Sequence, residues 1–266
     1  MDYEHLLLEQ DGAVLTVTVN RPGAMNALSQ ELVEELWRLS GELLSLGTDG
    51  VWPVRGVILT GAGEKAFVAG ADIAEMAEMS PAEGEAYGRR MQEVTLRLEG
   101  VPVPVIAAVN GYALGGGCEL AMACDLIYAS AKAQFGQPEV SLGLVPGFGG
   151  SVRLQQRIGI GMARELIYTG RRIGATESHR IGLANAVFDD RPALLAGARA
   201  TLDEITGRSA PAVANCKATI NAAAGLPVPD GLDVEAHSFN LAFRTADMRE
   251  GTRAFLQKRP PVFPGH

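Results

Sequence analysis

The apolar positions of this chain change period along its length, and the changes mark its elements. Near the start, Leu15, Val17 and Val19 alternate with Thr16 and Thr18, a period of two that predicts a strand with one buried and one half-exposed face. After Asn26-Ala27-Leu28 the period lengthens. Ser29 reads as an N-cap, and Leu32, Val33, Leu36, Trp37, Leu43 and Leu44 make one apolar stripe on a helix that packs against a core. Val57-Ile58-Leu59-Thr60 and the segment around Asp125-Leu126-Ile127-Tyr128 predict further strands.

Residues 100 to 118 carry no charge and imitate a membrane span. Pro102, Pro104, Asn110 and five glycines break it. A buried strand from Val103 to Val109, a turn at Asn110-Gly111 and a glycine-rich loop leading into a helix fit better. From about Arg191 the strand signal stops, and three or four helical stretches run on to Pro260-Pro261. The alternation predicts an α/β layered core over residues 1–195 and a helical C-terminal region over 196–266. Met79-Ser80-Pro81 and Glu83-Gly84, within the stretch from Ala77 to Glu99, predict a mobile helix–loop.

Composition narrows the partners. With 266 residues and 47% hydrophobic content the chain can bury a large interior, and its net charge of −8 opposes general nucleic-acid binding, which needs a basic face. Cys118, Cys124 and Cys216 are odd in number and lack metal-type spacing. They predict reduced thiols in a cytoplasmic protein, with no disulfide framework and no metal. The opening Met1-Asp2-Tyr3-Glu4-His5 is acidic where a secretory signal would be basic.

The candidate chemistry begins with two glutamates twenty residues apart. Glu119 follows Leu114-Gly115-Gly116-Gly117-Cys118, and Glu139 follows Phe135-Gly136-Gln137-Pro138. Both lie in apolar surroundings, where an isolated carboxylate is costly to ionise, so acid–base chemistry is the reading they favour. Ala66 to Asp72 is small and apolar just before the helical Ile73-Ala74-Glu75-Met76, and Gly115-Gly116-Gly117 precedes Glu119 in the same way. Either stretch is a tight turn, and either can leave backbone N–H groups open to an anion; two such groups would form an oxyanion hole.

Other motifs carry less. Gly159-Ile160-Gly161 lacks the third glycine and the preceding strand of a dinucleotide loop, and Gly61-Ala62-Gly63-Glu64-Lys65 is followed by Ala66 rather than a magnesium-binding hydroxyl. His5, His179, His237 and His266 are scattered, which gives no support to a nucleophilic triad. Cys118 reads as a small packed residue at a helix start.

Taken together, these segments resemble the crotonase superfamily, and within it the enoyl-CoA hydratases. The resemblance rests on Asn20-Arg21-Pro22 with Ala24-Met25-Asn26-Ala27-Leu28, on Ala66-Phe67 with Ala69-Gly70-Ala71-Asp72-Ile73, and on Val109 through Leu120. It continues through Phe135-Gly136-Gln137-Pro138-Glu139, Pro146-Gly147 with Gly149-Gly150, and Asp247, Glu250-Gly251, Ala254-Phe255 and Lys258-Arg259. The pieces follow one another in order nearly end to end.

The resemblance implies a spiral core of repeated ββα units, with the C-terminal helices assembling a homo-oligomer, a trimer or a dimer of trimers. It implies that the N–H groups of Ala71 and Gly116 hold a thioester oxygen, that Glu119 deprotonates a water, and that Glu139 protonates the alpha carbon of a 2-enoyl-CoA. The substrate contacts it implies are Ala24, Ala71, Asp72, Ile73, Phe255 and Lys258, with coenzyme A as part of the acyl-CoA substrate and no separate cofactor. Gly23 departs from the pattern, standing where many relatives carry a phosphate-binding lysine; Arg21 or Lys258 are the candidates to compensate. An enoyl-CoA isomerase, a branched-chain or aromatic-pathway hydratase, and a non-catalytic acyl-CoA or RNA binder are the alternatives.

Overall fold

The strands divide between two sheets, and the chain passes repeatedly from one to the other. The computed structural model describes residues 3–266; Met1 and Asp2 of the acidic N-terminal stretch lie outside the described residues. β1 (Leu6–Asp11) and β2 (Val14–Val19) form an antiparallel hairpin, and α1 (Gln30–Leu43) follows. Three turns of a spiral come next. The first is β3 (Gly56–Gly61), β4 (Ala66–Val68), α2 (Ile73–Ala77) and α3 (Pro81–Gly100); the second is β5 (Val105–Val109), β6 (Tyr112–Leu114) and α4 (Gly116–Met122). The third is β7 (Leu126–Ser130) and β8 (Gln134–Gly136), then α5 (Gly150–Ile158) and α6 (Ile160–Thr169).

β9 (Ile173–Gly174), α7 (Ala175–Arg180) and β10 (Ala186–Phe188) close the sheets, before α8 (Arg191–Thr206), α9 (Ala210–Ala223), α10 (Val228–Ala242) and α11 (Ala246–Leu256). One sheet runs β1-β2-β3-β5-β7-β10 and the other β4-β6-β8-β9. Within each turn, the first strand belongs to the larger sheet and the second to the smaller, in parallel register with the turns above and below. This is the expected ββα spiral with helices after it.

The corners between sheets explain the asparagine inside an apolar run. Asn110 is buried; it accepts from the Gly61 N–H at 3.2 Å and donates to the carbonyls of Gly63 at 2.9 Å and Ala66 at 3.2 Å. Asn26 joins the same corner, donating to the Ala62 and Ala66 carbonyls. Polar groups at a sheet corner have lost their ladder partners, and these amides replace them.

Several expectations gain detail. Ser29 Oγ accepts from the Leu32 N–H and caps α1, whose Leu32, Val33, Leu36 and Leu43 are buried. In β2, Leu15, Val17 and Val19 are buried while Thr16 and Thr18 are half-exposed, the alternation expected of it. Tyr112–Leu114, expected as loop, is a strand of the smaller sheet, paired with β8. The expected mobile stretch from Ala77 to Glu99 is mostly one helix of 20 residues: Ser80 and Glu83 form a reciprocal capping box, and Pro81 stands in the first turn.

The core has two parts. The larger lies between the sheets and under α1, α3 and α4, and includes Leu32, Phe67, Met91, Leu120 and Phe135. The smaller lies on the other face of the larger sheet, where Val14, Ile58, Ile106 and Ala108 meet Leu194, Ala198 and Leu202 of α8. The expected boundary between residues 195 and 196 therefore falls inside α8, a helix that covers the sheet. Lys217 of α9 reaches back to the core and donates to Asp125 Oδ2 at 2.7 Å and the Val103 carbonyl at 3.1 Å.

Candidate active site

Glu119 owes its position to the glycines before it. Gly115 takes φ +49°, ψ −123°, a conformation that a side chain would strain, and so turns the chain from β6 into α4. At Gly117 a Cβ would run into the Val68 carbonyl, so only glycine lets α4 lie directly on β4. All seven residues of α4 are buried, and Glu119 sits in its first turn with 1% of its surface exposed.

Only one oxygen of that carboxylate is held by the protein. Glu119 Oε1 accepts from the Phe148 N–H at 2.8 Å and the Gly150 N–H at 2.6 Å, whereas Oε2 has no partner among the described residues. Burial pushes the Glu119 carboxyl above the usual carboxylate range, and the two backbone donors and the nearby Arg153 charge oppose that rise. A Cβ on Gly150 would stand 2.9 Å from Glu119 Oε1, which accounts for glycine there.

Glu139 begins a short 3-10 turn, Glu139–Leu142, directly after β8. Burial, with the neighbouring Glu119 charge adding to it, pushes its carboxyl up to about 7. The side-chain amide of buried Gln137 lies 2.8 and 3.2 Å from the two Glu139 carboxyl oxygens. Adjacent acids thus sit in unlike settings. One is gripped by backbone donors and the other is poised to carry a proton near neutral pH, titrating as a coupled pair.

Both acids line one cavity of about 230 Å³, together with Ala71, Ile73, Gly116 and Phe148. Two backbone donors on its wall are unpaired. The bridge between Leu28 and the Ala71 segment uses the Gly70 carbonyl and the Asp72 N–H, and the intervening Ala71 N–H has no acceptor among the described residues. Gly116 is the first residue of α4, and its N–H is one of the four that a helix start leaves open. The ring of Phe148 lies where a Gly116 Cβ would be, 2.6 Å from Cε2, so glycine there gives the ring its place on the wall.

The remaining expected contacts divide. Ala71 and Ile73 line the cavity; Ala24 lies in the exposed turn Pro22–Ala24, beside Gly23. The Asp72 carboxylate does not line it but pairs with Arg21 at 3.2 Å, and Arg21 also donates to the Ala27 carbonyl, so both charges are already engaged. Phe255, 82% exposed, and Lys258, just past the end of α11, are not on the cavity wall.

Sequence reasoning assigned no role to Gln137, Phe148, Gly150 or Arg153. Their neighbours in the chain carried a signal, since Gln137 precedes Glu139 by two residues and Gly149-Gly150 is a motif, but the partners are set by folding. Tyr87 was missed as well: it donates to the Leu28 carbonyl at 2.8 Å and meets the Phe148 ring edge-on at 5.3 Å. Arg172 also borders the cavity. No cluster of metal-binding side chains is found among the described residues, and no described helix is long and apolar enough to cross a membrane.

Comparison with known proteins converges on one family. The family described as enoyl-CoA hydratase/isomerase matches residues 9–266. A short-chain-enoyl-CoA hydratase of Clostridium acetobutylicum is 45% identical over 259 residues, covering 97% of each chain. A crotonyl-CoA hydratase of Syntrophomonas wolfei is 43% identical over 263 residues and 99% of each chain. Among solved structures, an enoyl-CoA hydratase from Bacillus anthracis superposes with a TM-score of 0.93 at 37% identity, covering 99% of this chain and 100% of that one.

Proposed function

The chain belongs to the enoyl-CoA hydratase/isomerase family, and from that premise we propose that it adds water reversibly to short trans-2-enoyl-CoA thioesters, giving 3-hydroxyacyl-CoA. One observation carries this reading: two carboxylates in unlike settings and two unpaired N–H groups face a single cavity.

Each group has a task. The N–H groups of Ala71 and Gly116 receive the thioester oxygen and stabilise the negative charge that it gains as the beta carbon is attacked. A donor of this kind is worth roughly 10²–10³ in rate. Glu119, ionised, takes a proton from the water through the oxygen that the backbone leaves open, and the hydroxide equivalent bonds to the beta carbon. Glu139, protonated, gives its proton to the alpha carbon. The reverse reaction returns both protons, and no redox or metal step is required.

Coenzyme A enters as part of the substrate. Ala24 and the Ala71-Asp72-Ile73 segment are its proposed contacts on this chain. Phe255 and Lys258 lie in the helical region, whose exposed apolar side chains support assembly of a homo-oligomer, a trimer or a dimer of trimers.

The test is the loss of conjugated-thioester absorbance when the protein meets crotonyl-CoA. No loss with short or medium chains would overturn the reading. Glu119→Gln separates hydration from isomerisation: the variant is expected to lose hydration while still exchanging the alpha proton.

A further inference from the structure

Behind Glu119 the chain builds a support whose charged side chains lie off the wall of the cavity that holds the two glutamates. Arg153, on the first turns of α5 and only 11% exposed in its side chain, makes a two-pronged pair with Glu99 near the end of α3, Nε to Oε1 at 2.6 Å and Nη2 to Oε2 at 2.9 Å. Its third nitrogen, Nη1, donates to the Phe148 carbonyl at 3.1 Å. The N–H of that same residue donates to Glu119. Gly149, at φ +112°, lies under the guanidinium, where any Cβ would meet Nη1.

We propose that Arg153, fixed by Glu99, is a positioning residue for Glu119: it anchors the Phe148–Gly150 turn so that both N–H groups hold the same carboxylate oxygen and leave the other turned to water. A planar, forked guanidinium suits this task because it bonds the Glu99 carboxylate with two nitrogens and still has one for the carbonyl. Its positive charge also opposes the effect of burial on the Glu119 carboxyl. Removing it loosens the turn and makes Glu119 harder to ionise.

The inference rests on the hydratase reading, and the experiment separates the two. Crotonyl-CoA hydration is followed against pH for the wild type, Arg153→Lys, Arg153→Met and Glu99→Gln, each also checked by thermal unfolding. With Arg153→Met, kcat is expected to fall about 10- to 100-fold with KM nearly unchanged, and the acid limb of the kcat profile to move to higher pH. Arg153→Lys should restore the limb but only part of kcat, and Glu99→Gln should lie between. Placed on Glu119→Gln, Arg153→Met should cause no further loss. An unmoved acid limb in folded Arg153→Met, or a full additional loss on Glu119→Gln, overturns the positioning role. If the wild type itself fails to hydrate, it is the hydratase reading that falls.

Discussion

α4 and α10 are both helices rich in apolar residues, and they have opposite fates. All seven residues of α4 are buried, including a glutamate; none of the fifteen residues of α10 is. In α4 the glycines let backbone lie on backbone, and the density of that packing holds Glu119 in a single pose. In α10, Leu232 is 56% and Phe239 67% exposed in the single chain, and the ring of Phe239 rests edge-on against Phe243, itself on the surface. The same amino-acid class therefore serves two ends: rigidity where the elements are sequential in the spiral, and an open face where the chain has run out of its own elements to pack against.

Glu119→Gln tests the first half most severely. It keeps the shape of the side chain and one acceptor but removes the base, so hydration of crotonyl-CoA should fall by at least about 10³-fold, in the manner of losing a principal acid–base group. Thermal unfolding should change little by comparison. Gly117→Ala tests why that glutamate is so well placed. Its Cβ would collide with the Val68 carbonyl and sit 2.9 Å from Val68 Cβ, so a denaturant midpoint should show a loss of about 1–3 kcal/mol, the usual cost of overpacking. The same single methyl added at Gly231 of α10, whose nearest neighbour would be Ala223 Cβ at 3.7 Å, should be tolerated.

Leu232→Glu combined with Phe239→Glu addresses the other side of the comparison. If the proposed homo-oligomer forms through α10, light scattering after gel filtration is expected to report the mass of an oligomer for the wild type and of a single chain for the double variant, while circular dichroism stays unchanged. An unchanged oligomer would move the assembly surface away from α10.

The smallest expected effect is on stability as a function of pH. The Glu139 carboxyl rises from 4.5 in the unfolded chain to about 7 when folded, so between these values the folded state holds the extra proton. The contribution is fully present below pH 4.5 and is lost as pH rises through 7. Glu139→Gln removes that loss, and at pH 8 its melting temperature should exceed the wild type's by about 2–4 °C. Activity moves the other way, because the variant has no proton to give. In the wild type, kcat/KM should decline on the basic side as Glu139 loses its proton.

Much of the fold could be read in advance because its signals are local. Ser29 capping α1, the buried run of β5, the end of the strands near Arg191 and the helices beyond it all follow from spacing within a few residues. β6 and β8 did not yield, since three residues offer too little alternation to tell a strand from a turn. The Ser80 capping box is local too, and Gly84, one of the residues behind the expected mobile stretch, costs a helix only about 1 kcal/mol. In the site, Glu119 and Glu139 stood out as charges in apolar surroundings, and the glycines before Glu119 marked a turn able to leave backbone N–H groups open.

By itself, then, the sequence determined which residues could carry the chemistry and which segments would be strand or helix, because burial and backbone propensity act over short spans of chain. Tertiary structure alone decided what those residues do to each other. The donors to Glu119 come from 29 and 31 residues away, and the open N–H of Ala71 exists because Leu28 bonds on either side of it. Glu139 reaches about 7 because folding takes it out of water and sets it near Glu119. Each of these depends on distance through space, which the spiral sets by stacking one turn of chain on the next.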